Sequence, residues 1–428
     1  MTTLVQDKAQ VREHVFPNGL TVVTEAMPHV RSVAVGLWIR HGSRNEPAEL
    51  NGISHFIEHM VFKGTECRTA EDIARESDRI GGALDAFTAK EMTCFQIRVL
   101  DEHLLQGFDL LTDLCLRPLF LPEEIEREKS VILEEIRMVQ DNPEDLVHEN
   151  LTQKFWGQHP LGRPILGVPE TVQAFTREGL MAWFGERYGP ENLLITAAGN
   201  LRHEHIVDLA GSAFGNMPRS KGAPMETNPL AEPHITLQTK HELEQVHICL
   251  AVPAVPLTDP RRYAVSLMNV VLGTGMSSRL FQKIREKQGL AYAVFSDVNP
   301  YRDTGMLTVY AGTALETAGE VVRSVLEEFQ GMRSELVSDE ELRRAKDNLR
   351  GATLLALESS GSRMARLARQ YLYFGRFFET EDLLAQLENV TREAVQDVAR
   401  EFFRSGRVSA SVLGNLNGFR LKPDQLTC

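Results

Sequence analysis

The sequence predicts an α+β protein of two duplicated domains, each a largely antiparallel sheet packed with helices. Three observations lead there. At 428 residues the chain exceeds what one compact core usually holds. The stretch GNMPRSKGAPMETNPLAEPH places Pro218, Pro224, Pro229 and Pro233 among Gly, Ser and Asn without apolar periodicity, which reads as a linker. And the same order of elements is legible on either side of it. The expected division is a first domain over 1–215, a linker over 216–233 and a second domain over 234–428.

In the first half, the alternating run VRSVAVGLWIRHGS predicts a strand, followed by helical stretches around 51–62 and 70–80. A turn at Gly81-Gly82 leads to two strands, ALDAFT and MTCFQIRVL, then to helices beginning near Asp101 and Glu123. In the second half, QVHICLAVP predicts the equivalent strand, followed by helices over Pro260 to Leu272 and over SSRLFQKIREK. A turn at Gly289 leads to YAVFSDV and GMLTVYAGT, then to helices from about Leu315 and Asp339.

Composition narrows the function classes. A net charge of −13 with no broad basic stretch argues against a nucleic-acid partner. No apolar run approaches a membrane span, so no membrane partner is expected. The start, MTTLVQDKAQVREHVF, resembles neither a secretory signal nor a transit peptide. The five cysteines, Cys67, Cys94, Cys115, Cys249 and Cys428, lack CxxC spacing and read as small core hydrophobes in a reducing compartment. A cytoplasmic location follows as the expectation.

The chemistry-bearing segment is NGISHFIEHMVFKGT. His55 and His59 are four apart, so on a helix they project from one face one turn apart, and two imidazoles so placed can ligate one Zn²⁺. Glu58, three after His55, falls beside that face within reach of a metal-bound water. This HxxEH order, the reverse of HExxH, is a zinc-peptidase signature. A third ligand is expected from another helix, and LPEEIEREKSVILEEIRMVQDNPED supplies candidates. Glu124, Glu128, Val131, Glu135 and Met138 share one helical stripe, with Ile125, Ile132 and Ile136 on the packed side. Periodicity leaves Glu134 and Glu135 as alternatives. The corresponding helix of the second half, YAVSLMNVVLG, carries no HxxEH, so one Zn²⁺ per chain is expected. The neighbouring MNVVLGTGMSSRLF has no Lys at phosphate-loop spacing, which argues against a nucleotide.

Taken together, NGISHFIEHMVFKGT, REKSVILEEIRMVQDNPEDLVHE, PLGRPILG, LEQVHICL, REKQGLAY and LESSGSRMARLARQYLYFGR resemble the pitrilysin/insulinase family of inverted-motif zinc peptidases. Within that family the chain is most like the branch containing the catalytic subunit of mitochondrial processing peptidase and its bacterial relatives. The resemblance implies His55, His59 and Glu135 as zinc ligands, Glu58 as general base, and Glu128 as a supporting carboxylate. It implies Arg285 and Tyr292 of the second half as donors to the substrate carbonyl. It also implies that Asp85, Ala86 and Phe87, in GGALDAFTAKE, lie on an edge strand that pairs with an extended peptide. Asp85 stands where processing peptidases commonly have Asn, so an amide donor is missing there. The function implied is a metalloendopeptidase acting on unfolded peptides or targeting segments. A non-catalytic structural or partner subunit of the same fold is the alternative, and the intact HFIEH and Glu135 count against it. By the same resemblance a second chain completes the enclosure, as a homodimer or as a heterodimer with a related chain.

Overall fold

The computed structural model describes residues 11–220 and 229–428. The amino-terminal stretch that carried the targeting argument lies largely outside them, as does the centre of the expected linker. The chain forms two compact units, each an α+β structure built on one sheet.

The first unit contains strands β1 (Val11–Val15), β2 (Thr21–Ala26), β3 (Ser32–Ile39), β4 (Ala83–Thr88), β5 (Thr93–Leu100) and β6 (Leu193–Gly199). They lie in the order β1-β2-β6-β3-β5-β4, with β2 and β6 parallel and every other pair antiparallel. The second unit contains β7 (Ile235–Thr239), β8 (Val246–Ala254), β9 (Ala291–Pro300), β10 (Gly305–Thr313) and β11 (Ser409–Gly414), in the order β7-β11-β8-β10-β9. There β7 and β11 are the parallel pair and the rest are antiparallel. Replacing β2, β6, β3, β5 and β4 by β7, β11, β8, β10 and β9 reproduces both order and direction. The duplication legible in the sequence is therefore a duplication of topology, with β1 as an addition to the first sheet.

The compact units do not follow the halves of the sequence throughout. The first comprises Met1–Ile136, Pro164–Glu226 and Leu354–Phe377, and the second Arg137–Arg163, Thr227–Thr353 and Phe378–Cys428. Each unit thus takes a helical segment from the other half. The physical reason lies in the central strands, which are buried on both faces. In β3, Val33, Val35, Leu37 and Ile39 join the core built with the helices of the first half. Ala34 and Trp38 point the other way, and with Val23, Cys94, Leu194 and Ala198 they need a second cover. The helix Ser360–Phe374 supplies it through Met364, Leu367, Ala368 and Tyr371, spaced i, i+3, i+4, i+7. An Arg363–Glu25 ion pair and a hydrogen bond from Tyr371 Oη to Glu13 (3.1 Å) fix it on the sheet. The second unit repeats the arrangement. Its helix Pro143–Phe155 lays Leu146, Val147, Leu151 and Phe155 against Cys249, Ala251, Met306, Tyr310 and Leu413.

Four cysteines are buried as expected, but Cys67 is exposed, in the turn before the helix Ala70–Arg79. Its place is set by the backbone: the Cys67 N–H donates to Thr65 Oγ1, which leaves the thiol outside the core. No helix among the described residues is long and apolar enough to cross a membrane.

If the two exchanged helices carry equivalent loads, Leu367→Ala and Leu151→Ala should each cost about 2–5 kcal/mol, the usual range for a cavity left by a fully buried leucine. Urea denaturation of each variant checks this, with a loss below 1 kcal/mol counting against an integral role for that helix.

Candidate metal and active site

Helix Ile53–Met60 carries the HxxEH residues. Ile53, Phe56, Ile57 and Met60 are fully buried in the first core, which turns His55, Glu58 and His59 toward the opposite side. The helix begins at Gly52, whose φ of 95° is open to glycine and which has no side chain to cap the first turn. A more distant carboxylate does that work. The Gly52 N–H donates to Glu46 Oε2 (2.7 Å), the Ser54 N–H to Oε1 (2.8 Å), and Asn51 Nδ2 to Oε2 (3.2 Å). Burial pushes the Glu46 carboxyl up to about 7, against the lowering effect of the Gly52 and Ser54 N–H groups. Residues 164–171 hold the same turn. Asn51 Nδ2 donates to the Pro164 carbonyl (2.9 Å) and Thr171 Oγ1 to the Asn51 carbonyl (2.7 Å). A Cβ on Gly52 would fall 2.7 Å from Gly167 Cα.

Helix Pro122–Asp141 supplies the carboxylates. Ile125, Ile132 and Ile136 are buried as expected, and Glu128 is buried beside them. Glu128 Oε2 lies 3.1 Å from His59 Nδ1, and its Oε1 lies 2.6 Å from Lys63 Nζ. Burial opposes the Glu128 charge most strongly, but the bonds from His59 and Lys63 outweigh it and hold the carboxyl below its ordinary value. An ionised carboxylate only accepts, so His59 Nδ1 carries a hydrogen, and the lone pair a metal would take is the one on Nε2. That lone pair faces Glu135. His59 Nε2 and His55 Nε2 stand 3.6 and 3.7 Å from Glu135 Oε2, too far for hydrogen bonds. Among the described residues, one ligand atom from each of His55, His59 and Glu135 lies within 4.8 Å of the others. The structure therefore brings Glu135, rather than Glu134, to the two histidines.

The charges suit a cation there. Burial, followed by the charge of His59, drops His55 to about 3, so its imidazole is neutral. His59 is raised: burial is the largest single effect and lowers it, but the Glu128 bond and the carboxylates of Glu135, Glu128 and Glu58 together prevail. Glu58 is also raised, first by burial, with Asp85 and Glu135 adding, and with a bond from Thr88 and the charge of His59 offsetting. Thr88 Oγ1 donates to Glu58 Oε2 at 2.6 Å.

The remaining expected residues fall into two places. Asp85, Ala86 and Phe87 lie on β4, the outer strand of the first sheet. Ala86 packs on the core, Asp85 accepts from Gln96 Nε2 (3.3 Å), and exposed Phe87 meets Trp38 edge-on. Arg285 and Tyr292 belong to the second unit, where the guanidinium lies 4.5 Å from the ring centroid of exposed Tyr292. The stretch around Arg285, expected as an ordinary helix, is a π-helix over Phe281–Lys287. Sequence reasoning missed Glu46, Lys63 and Thr88. Lys63 is four after His59 and was legible as a helical neighbour, whereas the other two reach the site only through tertiary folding.

The chain matches known proteins over most of its length. A family model described as insulinase (peptidase family M16) matches residues 21–168, and one described as peptidase M16 inactive domain matches residues 174–349. The chain is 38% identical to the uncharacterized zinc protease YmxG of Bacillus subtilis, over 92% of this chain and 96% of that one. It is 39% identical to an uncharacterized zinc protease of Mycobacterium tuberculosis (97% and 95%), and 38% to one of Rickettsia felis (94% and 97%). A crystal structure of a protease from Helicobacter pylori superposes with a TM-score of 0.87 at 21% identity, covering 95% of this chain and 99% of that one.

The clamp at Gly52 makes a local prediction. Gly52→Ala should destabilise the protein by roughly 1–3 kcal/mol or more, since strain and a backbone clash coincide. Gly81→Ala, at φ 59° with open space around its Cβ, should cost clearly less. Thermal unfolding of the two variants, compared side by side, decides, and equal losses would remove the clamp from the account.

Proposed function

Because the chain belongs to the insulinase family of peptidases, family M16, we propose that it is a zinc-dependent endopeptidase acting on peptides held in extended form. The observation that carries this is the convergence of His55 Nε2, His59 Nε2 and Glu135 Oε2 beside a raised, half-buried Glu58. Two imidazole nitrogens and one carboxylate oxygen are a donor set that zinc accepts while keeping a position open. Bound zinc supplies an activated water and polarises the peptide carbonyl.

The chain's own residues do the rest. Glu58 takes a proton from the attacking water and delivers it to the departing amine, work suited to a carboxyl whose proton affinity burial has raised. Glu128 fixes the tautomer and rotation of His59, and Lys63 keeps Glu128 charged. Among the described residues no strand lies on the outer side of β4, so an extended peptide can add to it and pair with its main chain. Asp85 and Phe87, exposed on that strand, would meet side chains of the peptide. By the resemblance, the Arg285–Tyr292 pair that would donate to the carbonyl oxygen as negative charge develops there comes from a second chain. The metal set lies in the part matched by the insulinase model, and the part matched by the inactive-domain model carries no HxxEH.

Substitutions separate base from ligand. Glu58→Gln should retain one zinc per chain and lose about 10²–10⁴-fold in kcat. Glu135→Gln should lose zinc affinity itself. Elemental analysis alongside turnover of an internally quenched peptide reads both, and a Glu58→Gln protein of normal activity would sink the proposal.

A further inference from the structure

We propose that Thr88 is a positioning residue for Glu58, holding the carboxylate in its working orientation from the strand on which the peptide docks. The inference rests on the reading of Glu58 as general base. Its geometry stands apart from that reading.

Thr88 is the last residue of β4, and its Oγ1 donates to Glu58 Oε2 at 2.6 Å. A hydroxyl-to-carboxylate bond this short is charge-assisted and directional. It occupies Oε2 and leaves Oε1 to exchange the proton. Glu58 follows two core residues, Phe56 and Ile57, on a short helix, so its backbone is fixed, and its staggered side-chain rotamers differ in where they carry the carboxylate. The Thr88 bond is what selects among those rotamers.

The donor is itself rigidly placed. Thr88 pairs with Thr93 at the end of the β4–β5 hairpin, and the Ala89 N–H donates to the Met92 carbonyl to close the turn (2.8 Å). From the other side, the Ser43 and Arg44 N–H groups donate to the Ala89 and Lys90 carbonyls at 3.1 and 2.8 Å. The hairpin tip is therefore pinned from two directions, and a hydroxyl on it is a fixed reference point. A peptide adding to the outer side of β4 takes its register from the same strand that aims the base. One element would then align both the scissile bond and the group that acts on it.

The test uses the zinc-loaded full chain with Thr88→Val, which keeps shape and removes the donor, and Thr88→Ser, which keeps the donor. With an internally quenched peptide that the wild type cleaves, Thr88→Val should lower kcat about tenfold, consistent with a lost bond to a charged group. KM, zinc content and Tm should stay at wild-type values, and Thr88→Ser should come back to within about twofold of wild type. Crystal structures of the three proteins give a readout independent of turnover. The Glu58 rotamer should be kept in wild type and Thr88→Ser and lost in Thr88→Val. An unchanged rotamer in Thr88→Val overturns the positioning role whatever the activity. Equal kcat losses in Thr88→Val and Thr88→Ser overturn it too, since they point to packing. A wild type that binds zinc and holds the Glu58 rotamer but cleaves no peptide sinks the peptidase reading and leaves the positioning role decided by the crystallographic comparison.

Discussion

Helix Ile53–Met60 is only eight residues long, too short to be stable alone in water, yet it must hold two imidazoles in one orientation. Its position is imposed by burial. Ile53, Phe56, Ile57 and Met60 each contribute about 1.5–3 kcal/mol by leaving water, and together they fix how the helix is rolled on the sheet. Everything at the site follows from that roll. His55, Glu58 and His59 are turned to the helix Pro122–Asp141, and Glu46 replaces the missing cap at the first turn. The polar face is then desolvated enough to keep His55 neutral and to raise Glu58. A single packing decision sets geometry and proton affinity together.

The same logic of burial explains the exchange of helices between the sequence halves. A sheet whose central strands are apolar on both faces is unstable until both faces are covered. The helices that directly follow the strands cover one face of each sheet. For the other, the first sheet takes residues 360–374 and the second takes 143–155. The equivalence of the two sheets makes the two covers equivalent as well. Only the first unit kept residues able to bind a cation at the helix after its β3-type strand. In the second, helix Arg262–Gly273 buries Ala264, Val265, Leu267, Met268, Val271 and Leu272 in the core instead.

What could be read from the sequence was local and periodic. The i, i+4 histidines, the glutamate stripe of residues 124–138 and the alternating strands β3, β5, β8 and β10 are each visible within about a dozen residues. The repeat was legible because the same periodic segments recur in the same order. Strands β6 and β11 are harder to read because LLITAAG and SASVLG are short runs without a motif, and they pair with strands far away in the chain, β3 and β8. The choice between Glu134 and Glu135 needed a second helix in place, since adjacent residues differ only by a rotation that periodicity does not resolve. Glu46 gave no signal because it caps from six residues before Gly52, outside any capping-box spacing. Thr88 was hidden for the same reason, its partner lying 30 residues away.

The chemistry depends on His55, His59 and Glu135 holding one zinc ion beside Glu58, as proposed. Anomalous diffraction from zinc-loaded crystals, collected on either side of the zinc absorption edge, tests it most directly. One strong peak per chain is expected, at about 2.0–2.2 Å from His55 Nε2, His59 Nε2 and a Glu135 oxygen, with Glu58 outside the coordination sphere. A peak at any other residues, or Glu58 itself bound to the metal in place of Glu135, would contradict it.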